Sequence, residues 1–189
     1  MSDFSRTPAR TVRIETARLL LRRFTAKDLE PLAAILLQPD VVRWLGTPDA
    51  SVSDVQRALE RYDRHWNQRG YGRLAVVDRV TGALVGRTGV MYQPKWRATS
   101  SKDEIGWAID RRLWGRGLAT EAAAAALADV VERVGLEQVV SYTRPDNAAS
   151  IRVMEKLRLE RGGMAQWNGS EHVWYSITAD RLPAREVSD

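Results

Sequence analysis

One glycine turn constrains this chain more than any other segment. The stretch from Arg112 to Glu121 reads RLWGRGLATE, with an apolar segment before it and an alanine-rich segment after it. Glycine permits tight bends and close approach of a ligand to the backbone. The first turn of a helix presents unpaired N–H groups with a partial positive charge. The segment therefore predicts a turn between a strand and a helix that binds an anionic group such as a phosphate.

Length and hydropathy favour one domain. The chain has 189 residues, of which 44% are hydrophobic, enough for a single core. We expect one domain over 1–189, with a flexible start at 1–10 and a flexible tail at 179–189. No apolar run approaches the ~18 residues of a membrane span, and the polar start lacks the apolar segment of a secretory signal. A cytoplasmic protein without membrane contact is expected.

Composition also narrows the chemistry. There is no cysteine, and His65 and His172 are too few for a dedicated histidine site, so no metal centre is expected. The net charge of +5 comes from 29 Lys and Arg against 24 Asp and Glu. The arginines are scattered among acids, which favours a mixed, solvated surface over direct nucleic-acid binding. Excess arginine also suits a small ligand rich in phosphate.

The first half of the chain predicts strands and two capped helices. Alternation and then an apolar run predict one strand over Val12 to Arg23. Capping boxes predict the starts of two helices, and Pro39 and Gly70 their ends. Two strands joined by a turn at Gly82 should form an antiparallel hairpin. The predicted helices cover 29–37 and 52–69, and the hairpin strands cover 72–78 and 84–91.

The second half predicts strands that alternate with helices. Alternation over 103–109 predicts a strand with Trp107 on one face and Glu104 on the other. A helix over 118–134, a strand over 138–143 and a helix over 147–157 follow. Asn168-Gly169 predicts the turn of a final hairpin with strands at 162–166 and 170–177. The sum is an α/β fold, a mixed sheet with helices on its faces.

The glycine turn resembles the acyl-CoA-binding motif of the GNAT superfamily of N-acetyltransferases. In that motif Arg or Gln is followed by two residues, Gly, one residue, and Gly or Ala. Arg112, Gly115 and Gly117 fill those places.

Three further segments are similar to the RimJ/RimL-type branch, which modifies ribosomal-protein N-termini and related small amines. They are TARLLLR at 16–22, EIGWAID at 104–110 and NAASIRVMEKL at 147–157. The order and spacing agree over about 12–178. The resemblance implies a single N-acetyltransferase domain with a mostly antiparallel sheet of about seven strands and four helices, splayed between strands 4 and 5. It also implies acetyl-CoA as co-substrate and direct attack of a primary amine in a ternary complex.

The reaction suggests two catalytic side chains. An amine attacks a thioester only as the free base, and a lysine-type amine with a pKa near ~10.4 is almost wholly protonated at neutral pH. A carboxylate, directly or through water, would assist, and Glu104 is the best candidate. Many GNAT members protonate the leaving thiolate with a tyrosine where this chain has Met154. The branch resemblance implies that Ser150 acts as general acid instead.

The resemblance also implies a cofactor-binding set. Pantetheine would bond to the backbone in the splayed gap, Asn147 would contact its arm and Ser150 would face the thiol. The amides of 113–118 would hold the pyrophosphate, and a backbone N–H near 106–108 would stabilise the oxyanion. The full set is Trp107, Ile109, Arg112, Leu113, Gly115, Arg116, Gly117, Leu118, Ala119, Asn147 and Ser150.

Each assignment has a simpler alternative. Glu104 would be an ordinary solvent-side strand residue, and Asn147 and Ser150 merely a helix cap and its first turn. Large tryptophans such as Trp44 and Trp107 are expected in the core, whereas Trp167 beside a hairpin turn is expected to cover an acceptor or a second subunit. Arg158 stands where the family usually has glycine, so the backbone there is an open question.

Two other functions remain open. The glycine turn is one residue from G-x-G-x-x-G, with Glu137 as ribose ligand, which suggests dinucleotide binding. The turn nevertheless follows hairpin strands, without the alternating units of a doubly wound sheet. A CoA-binding module without catalysis is the other alternative. The sequence names neither the acceptor amine nor the oligomeric state, with a homodimer among the options.

Overall fold

One open sheet of eight strands organises the protein. The computed structural model describes residues 12–47 and 49–182. The strands are β1 Arg13–Glu15, β2 Leu19–Arg22, β3 Arg73–Asp78, β4 Leu84–Tyr92, β5 Asp103–Ile109, β6 Gln138–Thr143, β7 Glu160–Trp167 and β8 Ser170–Thr178. The α-helices of these residues are α1 Leu29–Leu36, α2 Pro39–Leu45, α3 Val52–Arg69, α4 Leu118–Asp129 and α5 Ala148–Lys156.

The sheet is antiparallel except at its centre. Its strand order is β1-β2-β3-β4-β5-β6-β8-β7. The parallel neighbours β5 and β6 pair at one register position, Glu104 opposite Val140, and then separate. The sheet is therefore splayed between these two strands, as predicted, and the gap opens toward the carboxyl end of β5.

Two layers of helices bury the two faces of the sheet. On one face, α4 packs its alanines Ala122, Ala123 and Ala126 against buried strand residues that include Ile105. On the other face, α1, α2 and α3 enclose a second apolar cluster that reaches Ala108. Side chains alternate along a strand, so β5 contributes to both layers. This strand is the element from which both faces can be reached.

The capping signals locate most helices correctly. Thr25 with Asp28 and Ser51 with Asp54 both form capping boxes, and Gly70 ends α3 in the left-handed conformation. The hairpins of β3 with β4 and of β7 with β8 are antiparallel, as predicted. A short 3-10 turn precedes α1, and a π-helical turn over Val130–Val134 extends α4.

Two sequence predictions differ from the structure. The single strand predicted over Val12 to Arg23 is two strands, because the Thr16 amide donates to the Leu19 carbonyl and closes a turn. The helix α2 was not predicted, because Pro39 ends α1 but also occupies the first turn of the next helix. These two elements explain why eight strands and five helices replace the expected seven and four.

The structure describes only part of the two segments that were predicted to be flexible, 1–10 and 179–189. The start at 1–10 lies outside the described residues. The predicted tail begins with a 3-10 turn, Ala179–Arg181, and Leu182 packs against the core, while 183–189 lie outside the described residues. No helix in the described part of the chain is long and apolar enough to cross a membrane.

Candidate active site

The glycine turn forms an open anion cradle at the end of β5. Gly115 and Gly117 each have a φ of +78°, a left-handed conformation that glycine adopts without steric cost. Gly117 is the N-cap of α4, and it offers no side chain to the N–H groups of the first turn. A Cβ built on Gly115 would have nothing within 4 Å. The backbone donors at this end of α4 thus lie beside free space, as an anion site requires.

The start of α4 is held in place from outside the cradle. The carboxylate of Glu121 accepts hydrogen bonds from the Thr16 hydroxyl at 2.6 Å, from the Arg18 amide at 2.9 Å and from Arg18 Nε at 2.7 Å. The Arg18 guanidinium also donates to the Arg116 carbonyl at 2.9 Å. Burial raises the pKa of Glu121, but these donors outweigh burial, and the net shift is downward. The turn is therefore a rigid, pre-formed structure.

The edge of β5 exposes peptide groups to the gap. The Asp110 amide donates to the Val85 carbonyl of β4 at 2.9 Å, and the Ala108 carbonyl lies against Gly86 of the same strand. Peptide groups alternate in direction along a strand. Those of Trp107 and Ile109 therefore face β6, which has already diverged. The Ile109 carbonyl accepts the indole N–H of Trp114 at 2.7 Å, which closes the far end of the gap.

A first cavity runs from the gap to the cradle. It contains most of the residues that the sequence assigned to the cofactor, namely Trp107, Ile109, Leu113, Gly115, Gly117, Leu118, Ala119, Asn147 and Ser150. Arg112 and Arg116 do not line it. Arg112 is 83% exposed and pairs with Asp110 at 2.6 Å, and this hydrogen bond is the main cause that lowers the Asp110 pKa to about 2. Arg152 and Lys156 of α5 line the cavity and were not predicted.

The N-terminus of α5 combines a cap with a cavity wall. The side-chain oxygen Oδ1 of Asn147 accepts a hydrogen bond from the backbone N–H of Ser150 at 3.1 Å. The side-chain Nδ2 of Asn147 donates to the Thr143 hydroxyl at 3.0 Å. The simple helix-cap interpretation of Asn147 is thus correct, although the residue also lines the first cavity. The Ser150 hydroxyl has no hydrogen-bond partner within residues 12–47 and 49–182 and remains available to a ligand.

A second cavity contains Glu104. Glu104 is 6% exposed, and its Oε2 lies 2.6 Å from Nη2 of Arg73, itself 6% exposed. Gln93 Nε2 also donates to Oε2, at 3.4 Å. The other oxygen, Oε1, stands over Gly106, where a Cβ would approach it to 2.6 Å. Glu104 is therefore no solvent-side residue: it is a buried carboxylate with one oxygen bound and one free of protein donors among the described residues.

Aromatic side chains line the second cavity. Trp167 and His172 line it from the final hairpin, and Tyr142 from β6. Tyr142 stacks on the buried Trp96 at 4.4 Å, and Trp167 lies 5.2 Å from Tyr142. Burial, assisted by the charge of Glu104, raises the pKa of Tyr142, so its phenol stays protonated at neutral pH. Trp167 thus lines this cavity, while the roles expected of it, covering an acceptor or a second subunit, stay predictions.

The two cavities meet. Trp44, Leu45, Trp107 and Ser150 line both of them. Trp44 and Leu45 belong to α2, the helix that sequence reasoning missed, and Trp44 and Trp107 had been expected in the core. The sequence signal for α2 was Pro39 after the end of α1, followed by the apolar residues of a second helix. The cavity that contains the glycine turn and the cavity that contains Glu104 are therefore adjacent, with shared lining residues.

The topology argues against a dinucleotide-binding fold. A doubly wound sheet has parallel strands that alternate with helices. Here β3, β4 and β5 form an antiparallel meander before the glycine turn, and β5–β6 is the one parallel pair of the described sheet. Among the same residues there is no group of three or more side chains that could hold a metal ion.

Comparison with known proteins identifies the family. The acetyltransferase (GNAT) domain model matches residues 18–160. The uncharacterized protein YkkB of Bacillus subtilis (strain 168) is 31% identical over 163 residues, which is 82% of this chain and 90% of YkkB. The chain therefore belongs to the GNAT acetyltransferase family, and its class is that of the acyltransferases.

Solved structures agree on the fold. A putative GNAT-family acetyltransferase from Bordetella pertussis superposes with a TM-score of 0.77 at 24% identity, over 87% of this chain and 98% of that one. Mycobacterium smegmatis RimJ in complex with CoA-disulfide superposes with a TM-score of 0.73 at 21% identity, over 93% and 91%. Both superpositions show the shared fold, and the GNAT domain implies acetyl-CoA binding.

Proposed function

We propose that this protein is an acetyl-CoA-dependent N-acetyltransferase that moves the acetyl group to a primary amine by direct attack in a ternary complex. The observation that carries this proposal is the meeting of the two cavities at Trp107 and Ser150. A thioester placed at this point from the cradle side would face an amine arriving from the Glu104 side. Holding both reactants at one point supplies much of the catalysis of a two-substrate reaction.

The chain offers donors for each part of the cofactor. The amides around Gly115 and Gly117 would bind the pyrophosphate at the N-terminus of α4. Arg112 and Arg116 would add positive charge at the rim, and Arg152 and Lys156 line the same cavity from α5. The peptide groups of β5 that face the gap would bond the pantetheine arm and stabilise the oxyanion. Asn147 would contact the arm through the second N–H of its amide.

Glu104 is the proposed general base. Arg73 holds Oε2 and leaves Oε1 directed over Gly106, beside the second cavity, which all three residues line. A carboxylate in this position can accept a proton from the amine directly or through one water molecule. Arg73 is a positioning residue, since it acts on the reaction through Glu104.

Ser150 is the proposed general acid. Its hydroxyl faces the junction of the cavities and has no partner among the described residues. Its position in the first turn of α5 is fixed by the hydrogen bond from its amide to Asn147. It would donate a proton to the departing thiolate. The acceptor would be a protein N-terminus or a small amine in the cytoplasm, and dimerisation is a matter for solution measurements.

The test couples release of the CoA thiol to a chromogenic disulfide across a panel of amines. The chain has no cysteine, so the protein contributes no background. We expect Glu104→Gln to lower kcat about 10²- to 10³-fold, the range of a lost general base, while acetyl-CoA still binds. Double-reciprocal plots for the wild type should intersect, as a ternary complex requires.

Two controls separate chemistry from folding. Glu104→Gln leaves Arg73 with an uncompensated buried charge, so melting curves must show that the variant is folded. Glu104→Asp retains the charge, and Glu30→Gln alters an exposed glutamate on α1. An unchanged kcat in Glu104→Gln would disprove the base assignment. Acetyl-CoA binding without thiol release for any amine would favour a non-catalytic module.

A further inference from the structure

The second cavity, which we now call the acceptor cavity, contains one arginine whose side chain lacks a partner. Arg73, Arg87 and Arg144 line the cavity, and Glu104 is the one carboxylate among its lining residues. Arg73 pairs with Glu104, and Arg144 pairs with Asp146 at 3.2 Å. The side chain of Arg87 makes no ion pair and no hydrogen bond within residues 12–47 and 49–182. The cavity therefore keeps one uncompensated positive charge.

The Arg87 side chain is half-buried as well as unpaired. Its Nε is buried and has no hydrogen-bond partner, the one such side-chain atom in the described part of the chain. Its guanidinium lies over the Tyr62 ring, 5.9 Å from the ring centre, at the outer limit of a cation–π contact. Burial is the main cause that lowers the pKa of Arg87; the charges of Arg73 and Arg61 act in the same direction, whereas Tyr62 and the charge of Glu104 oppose it. A half-buried cation with a buried, unsatisfied N–H group is a favourable site for an anionic ligand.

The strand register places Arg87 close to the proposed reaction point. Arg87 of β4 lies opposite Ala108 of β5, one residue from Trp107, which lines both cavities. Cross-strand partners share a face of the sheet, so Arg87 and Glu104 extend from the same face. An anion on Arg87 and an amine beside Glu104 would thus occupy one cavity at the same time.

We propose that the acceptor is a primary amine that also carries a carboxylate, of the amino-acid class, with the carboxylate bound by Arg87. This rests on the proposed N-acetyltransferase function and narrows its substrate. The carboxylate supplies the anion that Arg87 lacks, while the amine is left to Glu104. Polyamines and aminoglycosides are disfavoured, because they would bring further positive charge to an already positive cavity.

The experiment compares matched acceptors. Amino acids, their carboxamides and their decarboxylated amines are assayed by thiol release with wild type, Arg87→Gln and Arg144→Gln. We expect the wild type to favour the best acid over its amide about 10- to 100-fold in kcat/KM, the worth of a charge-assisted hydrogen bond. In Arg87→Gln this ratio should fall at least tenfold, mainly through KM for the acid. Arg144→Gln should retain the preference for the acid.

A second readout does not depend on turnover. The same amino acid should raise the melting temperature of the wild type and not that of Arg87→Gln. Should Arg87→Gln fail to fold, Arg87→Lys is the substitute, expected to lose part of the preference because it lacks the planar fork. Equal use of acid and amide by the wild type, or an unchanged ratio in Arg87→Gln, would overturn the proposal. If no amine in the panel supports thiol release, but the amino acid still raises the melting temperature, the transferase function is refuted and the Arg87 anion site is retained.

Discussion

At the scale of single residues, the site depends on groups whose hydrogen bonds are deliberately incomplete. Oε1 of Glu104 and the Ser150 hydroxyl have no donor or acceptor in the described chain, while the groups that position them are hydrogen-bonded. Around them, Arg73 fixes Glu104 and Asn147 fixes the start of α5. A pre-organised polar group next to a free reactive one is the arrangement that catalysis requires.

Ser150→Ala tests the proton donor. The substitution keeps the amide that bonds Asn147 and favours the helix, so folding should be unaffected. We expect kcat to fall about tenfold, at the low end for general acid catalysis, because a thiol with a pKa near ~8.5 needs little assistance. Ser53→Ala, in the exposed first turn of α3, is the matched control. If Ser150→Ala has the wild-type kcat, solvent protonates the thiolate.

Arg158→Gly tests backbone strain after α5. Arg158 has a φ of +61°, a conformation that is costly for a residue with a side chain and natural for glycine. The resemblance to the GNAT superfamily led us to expect glycine at this position, and the positive φ of Arg158 is a conformation that suits glycine. We expect the substitution to raise the free energy of unfolding by about 0.5–1 kcal/mol, measured with urea. Arg64→Gly, within α3, should lower it by about 1 kcal/mol. A destabilised Arg158→Gly variant would contradict this account.

At the scale of elements, local sequence signals predicted the helix starts and the hairpins, whereas contacts between distant residues could not be predicted. The capping boxes and the Asn168-Gly169 turn act over three or four residues, so the sequence displays them directly. The Arg73–Glu104 pair joins residues 31 apart through strand register, which no local pattern displays. Likewise, Pro39 serves both as the stop of α1 and as the start of α2. The unpaired state of Arg87 was equally invisible, because it depends on everything around the side chain.

The turn that joins β5 to the cradle should be sensitive to acid. Asp110 is buried and accepts hydrogen bonds from Arg112 and Gln38, and its pKa is lowered to about 2 from an ordinary ~3.9. A depressed pKa gives stability that is present above the unfolded pKa and is lost as the pH falls through the folded one. Asp110 therefore contributes stability above about pH 4 that disappears by about pH 2.

Asp110→Asn should remove this contribution. We expect a loss of about 1–2 kcal/mol in unfolding free energy at pH 7, discounted because the Arg112 partner is exposed. The acid limb between about pH 4 and 2 should become flatter, as followed by urea denaturation at several pH values. Asp49→Asn, an exposed position, serves as the control. An acid limb as steep as that of the wild type would assign the pH dependence to other carboxylates.

At the scale of the whole molecule, two cavities meet beside the splayed pair of strands. The first is lined from β5, α2, α4 and α5, and the second from β5, β6 and the final hairpin. The splay between β5 and β6 leaves the edge of β5 open beside their junction. The family resemblance predicted that splay, but the contribution of α2 to both cavities required the assembled fold.

The most direct test of the central claim is calorimetric titration of acetyl-CoA onto wild type, Gly117→Asp and Gly82→Asp, with NAD as control ligand. Gly82 has a similar φ of +71° and lies in the hairpin turn before β4, so it matches the backbone strain away from the cradle. We predict micromolar binding, about −8 kcal/mol, for wild type and Gly82→Asp. Gly117→Asp should not bind, because it adds a negative charge at the N-terminus of α4 that would repel the pyrophosphate, and NAD should give no heat. Binding of NAD without acetyl-CoA, or full acetyl-CoA binding by Gly117→Asp, would contradict the account.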